Sequence, residues 1–266
     1  MMDEAILNIG IGQLALTVLL ILLVVGLSFY EKLRLTKDYL VGVVRTVVQL
    51  FLVGYILDAL FALNRWPLVL CALAVMVSAA CQAGVGRLKW RQSRSRLFAG
   101  MGFALILGTG VTLFVVTRIV LRINPWYHPR YLIPLAGMII GNAMNGATLG
   151  AERFRSELIL RKNEVETLLC LGFDVRRASE SARKSAMSAA LLPMLNSMMV
   201  VGLVSLPGMM TGQILSGTSP LIAVRYQIVV MIMISSAVAL SSFVMVRFLT
   251  RSFFTGAAQI RYEALH

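Results

Sequence analysis

The chain has 266 residues, of which 58% are hydrophobic and only 14% are charged. This composition excludes an ordinary soluble domain and is typical of a membrane protein. The formal net charge of +13 would suggest nucleic acid as a partner of a soluble protein, but its distribution among the loops is explained by membrane topology, and we expect no nucleic-acid partner.

Apolar runs long enough to cross about 30 Å of hydrocarbon as helices follow one another along the chain. They predict about seven spans, near residues 11–29, 39–63, 66–86, 97–121, 131–150, 187–206 and 225–248. The Gly/Ser/Thr-rich stretch 207–224 is either an outer loop or a shallow re-entrant segment. We therefore predict an all-α polytopic fold and interpret residues 1–266 as one membrane domain.

The placement of the cations predicts the orientation of these spans. The loops after spans one, three and five, together with the C-terminal tail, hold 19 Lys and Arg residues, whereas the opposite side holds four. The positive-inside rule then places the N-terminus outside and the C-terminus in the cytoplasm. We expect a multi-pass protein of the inner (cytoplasmic) membrane.

The longest polar interval, residues 151–193, holds eight of the 25 Lys and Arg and six of the 12 Asp and Glu. Its first part, residues 151–186, is predicted to form cytosolic coupling helices that receive a soluble partner. Gly172 has the form of a residue that ends a helix with positive φ, and Asp174 can cap the next helix. That second helix is expected to run without a break into the sixth span.

Span five carries small residues at helical spacing. Gly137 with Gly141, and Gly146 with Gly150, follow the small-xxx-small pattern and predict close helix packing.

Polar side chains share faces of three spans. Met138, Asn142 and Asn145 lie on one face of span five, and Asn196 and Met199 on one face of span six. These faces either line a translocation pathway or form interhelical hydrogen bonds. Arg45 and Gln49 lie four residues apart in span two, where Arg45 is either a functional intramembrane charge or a side chain that snorkels to the interface.

Several absences limit the function. None of the 12 carboxylates falls in the middle of a predicted span, although ion-coupled carriers usually need one there. The chain lacks a P-loop, a zinc-protease motif and a Ser/His/Asp arrangement, so we expect neither an enzyme nor a bound cofactor. Three cysteines without CxxC spacing are interpreted as free thiols, and two histidines exclude a multi-histidine metal site within one chain, so no metal ligands are assigned.

Four pieces of sequence carry a family resemblance: RTVVQLFLVGYIL from Arg45, PLAGMIIGNAMNGATLG from Pro134, ETLLCLGF from Glu166, and LVSLPGMMTGQILSG from Leu203 followed by VRYQIVV. Together they resemble the FetB-type permeases, the membrane subunits of bacterial iron-export ABC transporters, with plant permeases linked to aluminium tolerance as relatives. The resemblance implies a homodimer with two copies of a separate ATPase, which would bind the ATP and Mg²⁺.

The segment Glu166 to Gly172 also resembles the coupling loop of ABC importers, in which Glu and Gly six residues apart dock in a groove of the ATPase. The Leu-Pro pair that closes the importer motif comes later here, at Leu192-Pro193, so the importer fold is not implied. We assign ATPase coupling to Glu166 and Gly172, and to Arg176 and Arg177 just after them.

The expected function is therefore that of an ABC permease subunit exporting iron or another metal from the cytoplasm. The alternatives are an ABC permease for a nucleotide sugar, to which a plant relative is linked, or for another organic solute, an ATP-independent channel or carrier, and a scaffold that transports nothing.

Overall fold

A computed structural model describes residues 10–31, 36–88, 90 and 93–265. These residues form helices joined by short turns, so the predicted all-α fold is confirmed for the described part of the chain. The helices are α1 Ile11–Leu16, α2 Val18–Tyr30, α3 Thr36–Leu63, α4 Trp66–Arg87, α5 Arg94–Phe114, α6 Pro129–Leu160, α7 Lys162–Cys170, α8 Val175–Ala178, α9 Glu180–Val200, α10 Gly208–Leu215, α11 Pro220–Phe253 and α12 Tyr262–Leu265. A π-helical segment, Val115–Val120, continues α5.

Five of these helices are long and apolar enough to cross a membrane: α3 from Tyr39, α4, α5 with its π-helical continuation, α6 and α11. They match five of the seven predicted spans. The first predicted span is instead divided at Thr17, and the 13 residues of α2 cover only about 20 Å. In the sixth, α9 begins with polar turns, and its apolar part from Met187 is about 21 Å long. The number of crossings and the side of each terminus stay predictions, and residues 1–9 lie outside the described part.

The described residues form two compact units. The first contains α1, α2 and α3 with residues 215–217, and the second contains the remaining helices. In the first unit, most side chains of α3 are exposed. The interpretation of the chain as one membrane domain stays a prediction.

In the second unit, α6 lies at the centre and packs against α4, α5, α9 and α11. Its closest approaches are made through glycine. A Cβ at Gly146 would come within 2.6 Å of Val238 on α11, and one at Gly150 within 3.3 Å of the Ala190 Cβ on α9. Because these helices touch through backbone and small side chains, the packing leaves no room for larger residues.

The helix α6 is also longer than predicted. It continues ten residues past the expected end at Gly150, because Ala151, Phe154 and Leu158 lie on its buried face and extend the core beyond the apolar run. The polar interval therefore begins as a rigid continuation of a span and not as a loop.

Aromatic side chains pack together at the end of the second unit where α6 ends. The ring of Phe253, at the end of α11, stacks on Phe154 with centroids 6.0 Å apart and contacts Trp90 at 5.8 Å. The chain then folds back, since Phe254 and Ile260 form an isolated β-bridge. Three residues of the segment predicted as a short basic tail, Phe253, Phe254 and Ile260, thus belong to the core.

Candidate functional site

The helix α7 and the turn after it have the geometry that the sequence predicts. Gly172 has φ of +86°, and its N–H donates to the Leu169 carbonyl at 3.0 Å while the Phe173 N–H donates to the Leu168 carbonyl at 3.1 Å. This pair of bonds is a Schellman motif, which requires a residue that tolerates positive φ. The Asp174 carboxylate then accepts a hydrogen bond from the Arg177 N–H, so the predicted cap is confirmed.

The prediction of an unbroken second helix is wrong at one residue. The four-residue helix α8 ends at Ala178, and α9 begins at Glu180, with a turn at Ser179 between them. The Ser179 hydroxyl donates to the Val175 carbonyl at 2.7 Å, a local bond that competes with continuation of the helix. The polar interval is therefore joined to span five by α6 and to span six by α9, and each helix crosses the boundary without a break.

Exposed apolar side chains flank α7, whereas the exposed residues of the helix itself are mostly polar. Val165 is buried and anchors the helix, whereas Leu160 and Leu171 are 79% and 69% exposed and flank it at its two ends. Phe173 is also exposed. Glu166 is half-buried on the same helix and forms no ion pair with any described residue. Exposed apolar side chains at both ends of a helix are typical of a surface that a partner covers.

A carboxylate that the sequence analysis did not single out holds the end of α6. Glu157 is only 3% exposed, and it accepts from Arg153 at 2.6 Å and from Arg161 at 2.9 Å, one turn before and one turn after it. Its hydrogen bond raises the pKa of the Arg161 guanidinium above its usual value. The Arg-x-x-x-Glu-x-x-x-Arg spacing was the signal available in the sequence.

The predicted pathway residues of α6 lie on an exposed face. Asn142 and Asn145 are exposed and Met138 is half-buried. The Asn142 side chain donates to the Met138 carbonyl at 2.8 Å, and Asn145 accepts from the Arg87 guanidinium at 2.9 Å. Asn142 thus bonds within its own helix, whereas Asn145 forms an interhelical hydrogen bond to α4.

On α9, Asn196 is exposed and Met199 is 77% exposed. No hydrogen bond joins Asn196 to the asparagines of α6 in the described part of the chain. Arg45 and Gln49 are likewise exposed, on α3 in the other unit. The pathway roles of all these residues stay predictions.

The four glycines of span five differ in surroundings. Gly146 and Gly150 stand at the close approaches described above, and a Cβ at Gly137 would meet the flexible end of Met76 at 3.2 Å. A Cβ at Gly141 would meet no described atom within 4 Å, so its packing role stays a prediction. The tightest crossing was not predicted, and it is made by Gly108 of α5 against Ser241 of α11.

Metal-binding chemistry is sparse in the described residues. They contain no group of three or more His, Cys, Asp or Glu side chains able to hold an ion together. Cys71, Cys81 and Cys170 are free thiols there, as predicted. The α6 and α9 faces offer only uncharged oxygens and thioethers as ligands to an ion.

Residues 11–254 match the family model described as "Uncharacterised protein family (UPF0014)". The chain belongs to the UPF0014 family. It is 38% identical to "UPF0014 membrane protein slr1647" of Synechocystis sp. over 97% of this chain and 99% of the relative. It is 36% identical to "Protein ALUMINUM SENSITIVE 3" of Arabidopsis thaliana over 95% and 90% of the two chains.

A third relative, "Probable iron export permease protein FetB" of Escherichia coli, is 34% identical over 95% of each chain. No solved structure gives a significant match. The predicted family resemblance is therefore confirmed, and the chain is a multi-pass membrane protein of the permease type found in UPF0014.

Proposed function

We propose that this chain is the membrane subunit of an ATP-driven exporter of iron or another metal, working as a homodimer in the inner membrane with a separate ABC ATPase. The observation that supports it best is the tip formed by α7 and its Schellman turn. There, exposed Leu160 precedes the helix and exposed Leu171 and Phe173 follow it. Glu166 on the helix forms no ion pair with any described residue. In this proposal the tip docks in a groove of the ATPase, in the cytoplasm.

The pathway in this proposal runs along the exposed face of α6, where Asn142 and Asn145 from two copies of the chain approach each other. Neutral carboxamides bind a cation weakly, which suits an exporter that must release its cargo. The relative named as an iron export permease supports the choice of substrate.

A charge placed on the tip tests the docking. We expect Leu171→Asp to lower recovery of the co-expressed ATPase, and its stimulated ATP hydrolysis, by at least about tenfold, because a buried interface leucine would become a desolvated carboxylate. Leu171 is 69% exposed in this chain, so the substitution spares the fold.

The matched control is Leu203→Asp, at a position 91% exposed in the turn after α9. It should leave the ATPase bound and active. Full recovery and full hydrolysis with Leu171→Asp would remove the α7 tip from the coupling mechanism.

A second test concerns the pathway. We expect Asn142→Leu with Asn145→Leu to abolish metal export, measured as intracellular iron in loaded cells that make equal amounts of each variant. The change keeps the side-chain volume, and losing an interhelical hydrogen bond costs only about 0.6–2 kcal/mol.

Arg87→Leu is the control, because it removes the hydrogen bond that Asn145 accepts while both asparagines stay in place. Export should survive that change. Equal loss of export in both variants would mean that Asn145 serves to hold α4 against α6, and export preserved in the double asparagine variant would contradict the pathway.

A further inference from the structure

A cavity of about 1350 Å³ lies at the polar end of the second unit, between α8, α9, the last turns of α11 and the folded-back C-terminal residues. Seven Lys and Arg side chains line it, against two carboxylates, Asp174 and Glu180. These two acids offset only part of the positive charge. The Asp174 side chain caps α8, and Glu180 pairs with Lys184 at 2.7 Å.

Most of the cations have no anionic partner. Arg176, Arg247, Arg251 and Arg261 form no ion pair with any carboxylate of the described ranges. Such a concentration of unpaired guanidinium groups in one concave site repels itself, and an anion of more than one charge would relieve the repulsion.

Arg183 is the most constrained of the group. Its Nη2 donates to the Arg176 carbonyl at 2.7 Å, while its Nε is buried and has no acceptor within the described structure. Burial lowers the pKa of this guanidinium, and the nearby charge of Arg176 lowers it further. A buried N–H without an acceptor, on a partly desolvated cation, can be satisfied by an oxygen of a bound ligand.

Both helices that line the cavity, α9 and α11, are basic toward its outer end and apolar toward its inner end. Along α11, Phe243, Arg247 and Arg251 follow at four-residue intervals and share one face, with the apolar ring deeper in the unit. Along the antiparallel α9, Met187 lies deeper than Arg183 and Lys184. Phe243 is 53% exposed. The cavity therefore offers cations at its outer end and apolar surface at its inner end.

From this arrangement we propose that the cavity binds a phosphate-bearing anion, and that an anionic phospholipid is the form that fits both ends. Its phosphate contacts the arginines while its acyl chains lie along Phe243 and Met187. Basic pockets between helices at a membrane surface recognise anionic headgroups in this way. A soluble phosphate compound shares the charged contacts but leaves the apolar end uncovered. The proposal does not depend on the ATPase or on metal export.

Native mass spectrometry of the purified full-length protein tests it, with phosphatidylglycerol and phosphatidylcholine added in turn. We expect the protein to retain phosphatidylglycerol in preference, and Arg247→Gln with Arg251→Gln to weaken that retention by at least about tenfold. Both arginines are exposed and unpaired in the described structure, so the variant should unfold at the temperature of the wild type.

The control is Arg94→Gln with Arg96→Gln, which removes the same charge from exposed positions at the start of α5, outside the cavity. It should retain phosphatidylglycerol as the wild type does. Two results together would overturn the proposal. These are equal retention of phosphatidylglycerol in the two double variants, and no binding of inorganic pyrophosphate to the protein in phosphatidylcholine nanodiscs.

A second arm identifies the source of the phosphate. Inorganic pyrophosphate is titrated into the protein in phosphatidylcholine nanodiscs. Arginine-dependent pyrophosphate binding without phosphatidylglycerol retention would support the phosphate site and overturn its lipid form. If Arg247→Gln with Arg251→Gln retains phosphatidylglycerol but loses a co-expressed ATPase, the cavity is a protein-docking surface and the proposal is wrong.

Discussion

Replacing Gly108 with leucine is expected to prevent most of the protein from folding. A Cβ at this position would lie against the Ser241 side chain, 2.9 Å from the Ser241 backbone nitrogen and 3.2 Å from the Ala237 carbonyl. Backbone atoms cannot move aside as a flexible side chain can, so α5 and α11 would have to separate. Overpacking usually costs about 1–3 kcal/mol, and a site where the obstacle is backbone belongs at or above the upper end.

Gly110→Leu is a control on the same helix, because a Cβ there would meet no described atom within 4 Å. The measurement is the fraction of detergent-solubilised protein that elutes as a single species in size-exclusion chromatography. We expect little or none for Gly108→Leu and a normal yield for Gly110→Leu. Similar yields for the two variants would show that α5 and α11 do not cross where the structure places them.

Removing the ring of Phe253 should destabilise the polar end of the second unit. This side chain is fully buried, stacks on Phe154 and touches Trp90. Truncation to alanine leaves a cavity that the surrounding helices cannot fill by moving inward. We therefore expect the free energy of unfolding to fall by about 3–5 kcal/mol. The midpoint of thermal unfolding in detergent measures the loss.

Phe114→Ala is the matched substitution, because Phe114 is 62% exposed near the other end of α5. Its effect should stay below about 1 kcal/mol. A midpoint for Phe253→Ala that equals that of Phe114→Ala would show that the C-terminal residues and the loop at Trp90 do not close the core.

The sequence predicted best those features that depend on local chemistry. Five apolar runs are helices of membrane length, since length and hydropathy alone decide them. The turn at Gly172 and the cap at Asp174 were also predicted, because positive φ and a free N–H at a helix start select a few residue types. In the same way, the family resemblance followed from contiguous motifs.

Features that depend on distant partners were missed. Gly108 and Ser241 are far apart in the chain, and no local pattern distinguishes Gly108 from Gly110 two residues later. The buried Glu157 is a different case, since its partners Arg153 and Arg161 lie only four residues away, and it was counted among the polar residues because α6 was expected to end at Gly150. That continuation could have been read from Ala151, Phe154 and Leu158, but the charges between them masked the helical period.

The same distinction between local patterns and distant partners applies to the candidate site. Local periodicity placed Met138, Asn142 and Asn145 on one face of α6, and the structure keeps them together there. The hydrogen bond from Arg87 could not be predicted, because it depends on where α4 ends relative to α6. Whether Asn142 meets its counterpart in a second copy is a question of assembly, which one chain's sequence does not encode in any local pattern.

Because α6 is one unbroken helix, a displacement at one end can move the other end about a fixed point, the fulcrum, between them. Gly146 and Gly150 press its middle against α9 and α11, and the arm from Gly150 to Leu160 extends about 15 Å outward. The opposite arm, from Gly146 to Pro134, is about 18 Å long. If α6 pivots as a rigid body, a stroke of about 3 Å at Leu160 swings the far arm by a similar distance in the opposite direction. Asn142 and Asn145, close to the fulcrum, would mainly tilt, so such a stroke would open one end of the face more than it widens the middle.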